Sequence, residues 1–204
     1  MATIALLLWP FIALVIFAHA AIIPAILGAT VVPYLFLPEA FKIVLPGVPD
    51  LDKTAIISIG LVGGLFFYGK RACKKAALPT LKRAGRWFRI LLFSFVATLL
   101  VGSLLTVMNN REVLVFGPTV LPAMRTWDAV GLFGDLVILL IPFFVAYRYF
   151  ATPETQRFLL KAFVMSGLVY SVLMLVEIRL SPQLHNWIYG YHQHSFLQHI
   201  RDGF

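Results

Sequence analysis

The chain has 204 residues, of which 60% are hydrophobic and only 13% are charged. Soluble domains carry roughly 25% charged residues, and a mean hydropathy of +0.89 excludes that class, so the composition predicts a polytopic membrane protein. The formal net charge of +8 would suit a nucleic-acid partner, but no RNA-binding or DNA-binding motif accompanies it, and we predict no nucleic-acid binding.

The first apolar run covers residues 3–37 and is too long for one straight helix across a membrane. A hydrocarbon core of roughly 30 Å is crossed by about 20 helical residues. Pro24 removes a backbone donor and clashes with the preceding turn, so we expect a break between His19 and Pro24. Two alternatives stay open: two short spans meet there as a hairpin, or one span continues into a helix that lies in the interface.

A polar connection follows, and it leads into the second apolar segment, residues 54–69. Asp52 stands just before this segment, where a carboxylate can cap the first turn of a helix. The sequence therefore predicts a helix that begins beside Asp52, and the connection before it is expected to face the periplasm.

The loop at residues 70–89 carries eight basic residues and no acidic one. Because the chain has 17 Lys plus Arg and 9 Asp plus Glu, these eight residues account for the whole surplus of positive charge. The positive-inside rule places such a loop in the cytoplasm, and its charges attract anionic lipid head groups. The eight are Lys70, Arg71, Lys74, Lys75, Lys82, Arg83, Arg86 and Arg89.

Three more apolar segments follow at residues 90–108, 128–147 and 158–176, and the chain closes with a periplasmic tail at 177–204. Successive spans must cross in alternate directions, so the cytoplasmic basic loop orients all of them. The sequence predicts an all-α fold, a transmembrane helical bundle of five or six spans that forms a single domain. Its expected location is the bacterial inner membrane.

Asp135 is the one carboxylate well inside an apolar segment. Burying a charged carboxylate in a membrane costs about 2.5 to 3.5 kcal/mol on insertion scales, so we expect Asp135 to face the bundle as a buried charge with a partner. A proton or ion relay is the alternative, but no second ionisable group within the spans is evident. A hydrogen bond that holds two helices together is the preferred interpretation.

The tail holds a histidine pair, His192 and His194. Imidazoles can bind zinc or copper, but no cysteine joins them, and Trp187, Tyr189 and Tyr191 are interleaved. Aromatic rings beside hydrogen-bonding side chains suit a membrane interface or a sugar-binding surface. We predict no metal site and no cofactor, and we consider the two histidines candidate substrate-binding residues.

Four segments together resemble the N-terminal half of bacterial O-antigen polymerase and ligase-type membrane proteins. The resemblance implies an inner-membrane glycosyltransferase that moves glycan from an undecaprenyl-diphosphate carrier on the periplasmic side, without a nucleotide sugar or a metal. The segments are LPGVPDLDKTA (45–55), VLVFGPTVLPAMRTWDA (113–129), PFFVAYRYFATPETQRFLLKA (142–162) and VEIRLSPQLHNWIYGYHQHSF (176–196).

In that family, the arginines and histidine of a large periplasmic loop lie in the half beyond these segments. The closing residues IRDGF (200–204) resemble the start of that region, and Arg201 matches a family arginine with a slightly shorter spacing. A cation there would pair with a diphosphate, so Arg201 is the third candidate substrate-binding residue. The resemblance implies a truncated or split protein that is not catalytically competent alone, and we predict no catalytic residue.

Two other functions stay open on the sequence. A non-catalytic accessory subunit would pack against a larger respiratory or photosynthetic membrane complex. A small transporter or channel is the weakest interpretation, because a single buried acid offers little to line a pathway. The expected partners are membrane lipids, other membrane subunits and, under the family resemblance, a lipid-linked glycan.

Overall fold

The structure is a computed structural model that describes residues 2–39, 41–43, 49–76, 85–117, 119–180 and 184–190. The described residues form seven helices and one short hairpin of strands, so the predicted all-α fold is confirmed. The helices are α1 (Ala2–His19), α2 (Ile22–Phe36), α3 (Lys53–Ala76), α4 (Arg86–Asn109), α5 (Asp128–Tyr149), α6 (Pro153–Leu180) and α7 (Leu184–Tyr189), and the strands are β1 (Leu114–Phe116) and β2 (Thr119–Leu121).

By length and composition, four helices of the described chain can cross a membrane, namely α1, α4, α5 and α6, and α2 is a shorter apolar helix. Most of their large apolar side chains are exposed on the surface of the bundle. A water-soluble protein would bury these side chains, whereas a bilayer solvates them. The chain is therefore a multi-pass membrane protein.

The first apolar run is divided into two helices that pack as a hairpin. α1 ends at His19 and α2 begins at Ile22, inside the interval in which the sequence predicts a break. The two helices are antiparallel, since Leu37 after the end of α2 packs in one cluster with Leu6 near the start of α1. The structure thus has the hairpin, the first of the two alternatives.

A hydrogen bond between side chain and backbone ties this hairpin together at a proline. Pro33 has no N–H, so it cannot donate to the carbonyl of Ala29 one helical turn earlier. The indole of Trp9 on α1 donates to that carbonyl instead, with Nε1 3.3 Å from the Ala29 oxygen. The proline is tolerated inside α2 because a neighbouring helix supplies the missing donor.

Glycines on α3 let it lie close against α1. A Cβ built at Gly60 would be 3.0 Å from the Cβ of Ala13, and one built at Gly64 would overlap the ring of Phe17. Small residues at such positions allow helix backbones to approach closely in a membrane. The order of these contacts along both helices shows that α1 and α3 are parallel, with α2 antiparallel to both.

α5 packs against α3 and repeats the proline arrangement of the first hairpin. Pro142 cannot donate to the carbonyl of Ile138, and the hydroxyl of Ser58 on α3 donates to it at 3.2 Å. α6 then returns along α2, where the ring of Phe36 meets that of Tyr170 edge to face at 6.4 Å. The bundle therefore joins α5 to α3 and α6 to α2.

The helices alternate in direction, so the connections gather at two ends of the bundle. We call one the strand end, since it holds β1 and β2, and it also holds the start of α3 and α7. The other is the basic end, which holds the break between α1 and α2, the turn at residues 150–152 and the basic residues in the last turns of α3 and the first turn of α4. The main buried cluster, which includes Phe17, Ile22, Leu61 and Phe150, lies towards the basic end.

Several helices extend beyond the apolar segments that the sequence defines. α3 continues to Ala76 and α4 begins at Arg86, so part of the expected basic loop is helical. Lys and Arg are good helix formers, and their long side chains can leave the apolar region while the backbone stays helical. α6 likewise continues to Leu180, and α7 forms within the expected tail.

The strand hairpin lies between α4 and α5, in the connection between the predicted apolar segments 90–108 and 128–147. Its strands pair antiparallel, with Val115 opposite Val120, and Gly117 between them has a positive φ of 57°. The backbone N–H of Met124 donates to the carbonyl of Asn110 at 2.9 Å, which ties the end of the hairpin region to the end of α4.

Candidate functional site

A cavity of about 580 Å³ lies between α2, α3, α5 and α6. We call it the four-helix cavity. Small-molecule sites in proteins have volumes of about 300 to 1,000 Å³, so this space is large enough for a ligand.

Each helix presents one face to the four-helix cavity. On α2 the lining residues Ile26, Thr30 and Tyr34 are four residues apart, and on α3 Thr54 and Ser58 repeat that spacing. Residues four apart lie on the same side of a helix. The cavity is thus built from regular helix faces.

The lining is apolar because most of its hydroxyl groups are occupied by backbone carbonyls. A hydroxyl that is already bonded to the backbone offers little to a polar ligand, and the other lining side chains are mainly hydrocarbon or aromatic. The bonds run from Thr30 Oγ1 to the Ile26 oxygen at 2.8 Å, from Ser58 Oγ to the Ile138 oxygen at 3.2 Å and from Ser166 Oγ to the Ala162 oxygen at 2.8 Å.

A lysine stands where the cavity meets the strand end. The Nζ of Lys53 lies 5.0 Å from the centroid of the Tyr34 ring, and Tyr34 itself lines the cavity. Only 12% of the Lys53 side chain is exposed, and its carboxylate neighbour Glu39 is 3.7 Å away. A cation held against an aromatic face therefore lies at the mouth of an apolar space.

Lys42 and Asp50 close the connection that leads into α3. The Nζ of Lys42 donates to a carboxylate oxygen of Asp50 at 2.7 Å. This hydrogen bond, together with the charge of Asp50, raises the pKa of Lys42 above its ordinary value. Asp52, two residues further on, accepts from the N–H of Ala55 at 2.7 Å, which confirms the predicted helix cap.

Asp135 lies on α5 near the strand end, and its side chain is exposed, unlike the buried charge that the sequence predicts. The neighbouring Gly134 lies against the ring of Pro49, so the polar connection before α3 comes close to this part of α5. The carboxylate interacts electrostatically with Asp50, Asp52 and Lys42. Asp135 therefore belongs to the charged strand end, and its place only two turns into α5 explains the exposure.

The basic residues predicted to contact lipid head groups are divided between two helices and the segment that joins them. Lys70, Arg86 and Arg89 have exposed side chains, and Arg71, Lys74 and Lys75 lie in the last turns of α3. Lys82 and Arg83 lie outside the described residues. Phe88 and Tyr147 stack with their ring centroids 4.7 Å apart, which joins the start of α4 to the end of α5.

The three candidate substrate-binding residues, Arg201, His192 and His194, lie outside the described residues. α7, which precedes them, is held to α2 by a hydrogen bond from the hydroxyl of Tyr189 to the carbonyl of Phe36. The segment that leads to these residues therefore starts at the strand end. Among the described residues, no group of three or more His, Cys, Asp or Glu side chains could hold a metal ion.

Sequence reasoning did not identify the four-helix cavity. The signal was present, since Thr30 and Tyr34, like Thr54 and Ser58, place polar side chains four residues apart within apolar segments. What a single sequence does not supply is the rotation of each helix about its axis, which decides whether such a face meets lipid, another helix or a space.

Comparison of the chain with protein-family models, with curated proteins and with solved structures gave no match.

Proposed function

We propose that this chain forms the membrane-embedded N-terminal part of a bacterial O-antigen polymerase or ligase-type protein and acts in polysaccharide assembly. It lies in the inner membrane as one transmembrane domain, with the basic end in the cytoplasm and the strand end in the periplasm. The catalytic residues come from a second segment or a partner subunit, and the substrate is a glycan linked to a lipid diphosphate.

The observation that carries this proposal is that three of the four family-like segments meet at the strand end. Pro49 belongs to the first segment, β1 and β2 belong to the second, and Tyr189 belongs to the fourth. Pro49 lies against Gly134 of α5, and Tyr189 is bonded to the end of α2. Glycan transfer from a membrane-bound carrier needs its binding groups on one face of the membrane. The three segments meet this requirement because they lie at the same end of the bundle.

The distribution of basic residues between the two ends of the bundle supports the same orientation. Six of the eight basic residues lie in the last turns of α3 or the first turn of α4, opposite the strand end. By the positive-inside rule the basic end is cytoplasmic, so the family-like connections face the periplasm, where lipid-linked glycans of this kind are used.

A strain that lacks the protein tests the proposal by complementation. Cells that carry Arg201→Ala, or His192→Ala together with His194→Ala, are expected to make less surface polysaccharide than cells with the wild-type chain. Arg157→Ala is the matched control, because Arg157 is an exposed arginine in the first turns of α6 at the basic end. Equal polysaccharide from all three variants and the wild type would refute the proposal.

A non-catalytic subunit of a larger membrane complex is the second candidate, and α4 favours it. In the described structure α4 packs chiefly against α5, and it exposes large apolar side chains such as Phe93 and Leu91. These can face lipid or another subunit. Gentle purification from native membranes separates the two: a stoichiometric energy-transducing complex supports the subunit, and a co-purified lipid-linked glycan supports polysaccharide assembly.

A further inference from the structure

We propose that the four-helix cavity binds the apolar chain of a phosphate-bearing lipid and that Lys53 binds the phosphate at its mouth. The inference goes beyond the proposed function, because it uses only the cavity and the side chains around it. Its ligand is defined by chemistry: one long hydrocarbon chain that ends in a phosphate ester.

The shape and lining of the cavity argue for a hydrocarbon chain. The lining runs from Tyr34 and Thr54 near the strand end to Phe150 and Leu159 near the basic end, so the space follows the long direction of the helices. Three of its hydroxyl groups are bonded to backbone carbonyls. A sugar would lose most of its hydrogen bonds to water there without replacement, whereas a hydrocarbon chain has none to lose.

The charge at the mouth argues for an anionic head group. Two lysines stand in or beside the connection before α3, and they differ in their surroundings. Lys42 is 60% exposed and already paired with Asp50 at 2.7 Å. Lys53 is largely buried, and its neighbour Glu39 is a mostly exposed carboxylate at 3.7 Å, a distance longer than a good charge-assisted hydrogen bond. A phosphate at the mouth can replace Glu39 at closer range.

The ring of Tyr34 positions the lysine for this role. The contact between the Lys53 ammonium and the Tyr34 ring holds the charge beside a side chain that itself lines the cavity. A ligand whose chain passes Tyr34 therefore brings its head group to the ammonium. The strand end is also the end where lipid phosphates of one leaflet would lie.

α6 supplies a position at which the cavity can be filled. Gly167 lines the cavity, and nothing lies within 4 Å of a Cβ built there. Gly167→Leu therefore adds a side chain to the space without a clash at its first atom. Gly102→Leu on α4 is the matched control, because Gly102 is equally open and does not line the cavity.

The test measures lipid binding to the purified full chain in detergent by native mass spectrometry. The probes are undecaprenyl phosphate, phosphatidylglycerol, and undecaprenol, which has the same chain as the first probe but no phosphate. Gly167→Leu is expected to weaken binding of all three at least tenfold, and Gly102→Leu is expected to leave it unchanged. Size-exclusion profiles and helicity must match the wild type for each variant.

The head-group contact has its own pair of variants. Lys53→Gln is expected to weaken the binding of undecaprenyl phosphate or phosphatidylglycerol about fivefold, the effect of one lipid-facing charge. It is expected to leave the binding of undecaprenol unchanged. Lys42→Gln is expected to leave all three unchanged. Tighter binding of undecaprenyl phosphate identifies a carrier lipid as the source of the phosphate, and tighter binding of phosphatidylglycerol identifies a bilayer lipid.

The proposal is overturned if Gly167→Leu binds the probes as the wild type does, since the chain would then lie elsewhere. It is equally overturned if Lys53→Gln and Lys42→Gln behave alike towards the phosphate-bearing probes. Neither result bears on polysaccharide assembly, which the complementation experiment tests through other residues, those of the tail beyond α7.

Discussion

The indole of Trp9 and the carbonyl of Ala29 form a hydrogen bond of 3.3 Å between α1 and α2. This carbonyl is the one that Pro33 leaves without an N–H partner. Ser58 and Ile138 form the same arrangement at Pro142. In both places a proline frees a backbone acceptor inside a helix, and a side chain of a neighbouring helix donates to it.

Trp9→Phe is expected to destabilise the bundle by about 1 to 3 kcal/mol, because it leaves the buried Ala29 carbonyl without a donor. In a Pro33→Ala background the helix regains its own N–H at that position, so the same change should cost about 1 kcal/mol less. Unfolding of the purified protein in detergent, followed by circular dichroism, measures all four members of the cycle.

The control for this prediction is Trp127→Phe, since Trp127 is 71% exposed and its loss should change stability by no more than about 0.5 kcal/mol. If Trp9→Phe costs the same in the wild-type and Pro33→Ala backgrounds, the hydrogen bond does not compensate for the proline.

Ser58→Ala is expected to weaken the packing of α3 against α5. Hydrogen bonds between membrane helices contribute about 0.6 kcal/mol on average. Here the Ser58 hydroxyl donates to the Ile138 carbonyl, which Pro142 leaves without an N–H partner, so we expect a cost at or above that value. The same unfolding measurement checks it.

Ser94→Ala is the matched control, because the Ser94 hydroxyl donates to Leu91 within its own helix and is exposed. Equal stability of the two serine variants would contradict an interhelical role for Ser58.

Gly64→Ala is expected to destabilise the bundle by about 1 to 3 kcal/mol, the usual cost of overpacking. A Cβ there would overlap the ring of Phe17, which has almost no exposed surface. Gly102→Ala, where nothing lies nearby, should instead be neutral or stabilising by up to about 1 kcal/mol, the gain in helix propensity.

Phe17→Leu supplies the second half of this test. A smaller side chain at position 17 removes part of the overlap, so Gly64→Ala should cost less in that background. Identical costs in the two backgrounds would show that α1 and α3 do not meet at these residues.

The prolines also show how far the sequence could predict the fold. The break after His19 follows from the length of the first apolar run and from Pro24, both of which are local features. That Pro33 and Pro142 each free a carbonyl is equally local. The donors are not, because Ser58 and Ile138 are 80 residues apart and their meeting depends on how α3 and α5 are rotated and aligned.

The site was less predictable than the fold for the same reason. Lys53 is one of 17 Lys plus Arg residues in the sequence, and nothing local distinguishes it from Lys42. Lys53 differs from Lys42 because it lies against the ring of Tyr34, a residue of another helix that lines the four-helix cavity. For Asp135 the local sequence was misleading, since its apolar neighbours in sequence indicated burial. In the structure the connection that contains Pro49 comes close to this part of α5, and Asp135 lies near the charges of Asp50, Asp52 and Lys42.

Lys42 gives a prediction for pH. The hydrogen bond and charge of Asp50 raise the pKa of Lys42 above its ordinary value of 10.5. A raised pKa in the folded state means that the pair stabilises the fold fully below the unfolded value, and this contribution is lost as pH rises through the raised folded value. Lys42→Gln should therefore make the stability less dependent on pH in the alkaline range, and unfolding curves recorded at several pH values measure the slope.

Asp50→Asn should reduce the same slope, since it removes the charge that raises the pKa of Lys42. Lys70→Gln is the control, because Lys70 is an exposed lysine at the basic end. An alkaline slope that is the same for wild type, Lys42→Gln and Asp50→Asn would show that the pair does not contribute.

The two ends of the bundle predict opposite accessibility of two thiols. Cys73 is the only cysteine in the chain and lies near the end of α3. Val115→Cys, made together with Cys73→Ser, places a thiol in β1 at the strand end, where Val115 is exposed. A membrane-impermeant maleimide added outside spheroplasts is expected to label position 115 and not Cys73, because the proposed orientation, which follows the positive-inside rule, puts the basic end in the cytoplasm.

Neutralising the eight basic residues should disturb this pattern, since they carry the whole excess of positive charge. The control replaces Arg111, Arg125 and Arg179 at the strand end with neutral residues. This change should increase the charge difference between the two ends and leave the orientation unchanged. Labelling of Cys73 from outside in the wild-type chain would show that the orientation is the reverse of the proposed one. Lys53, the strand hairpin and the candidate substrate-binding residues would then lie in the cytoplasm, where the proposed lipid-linked glycan is not used.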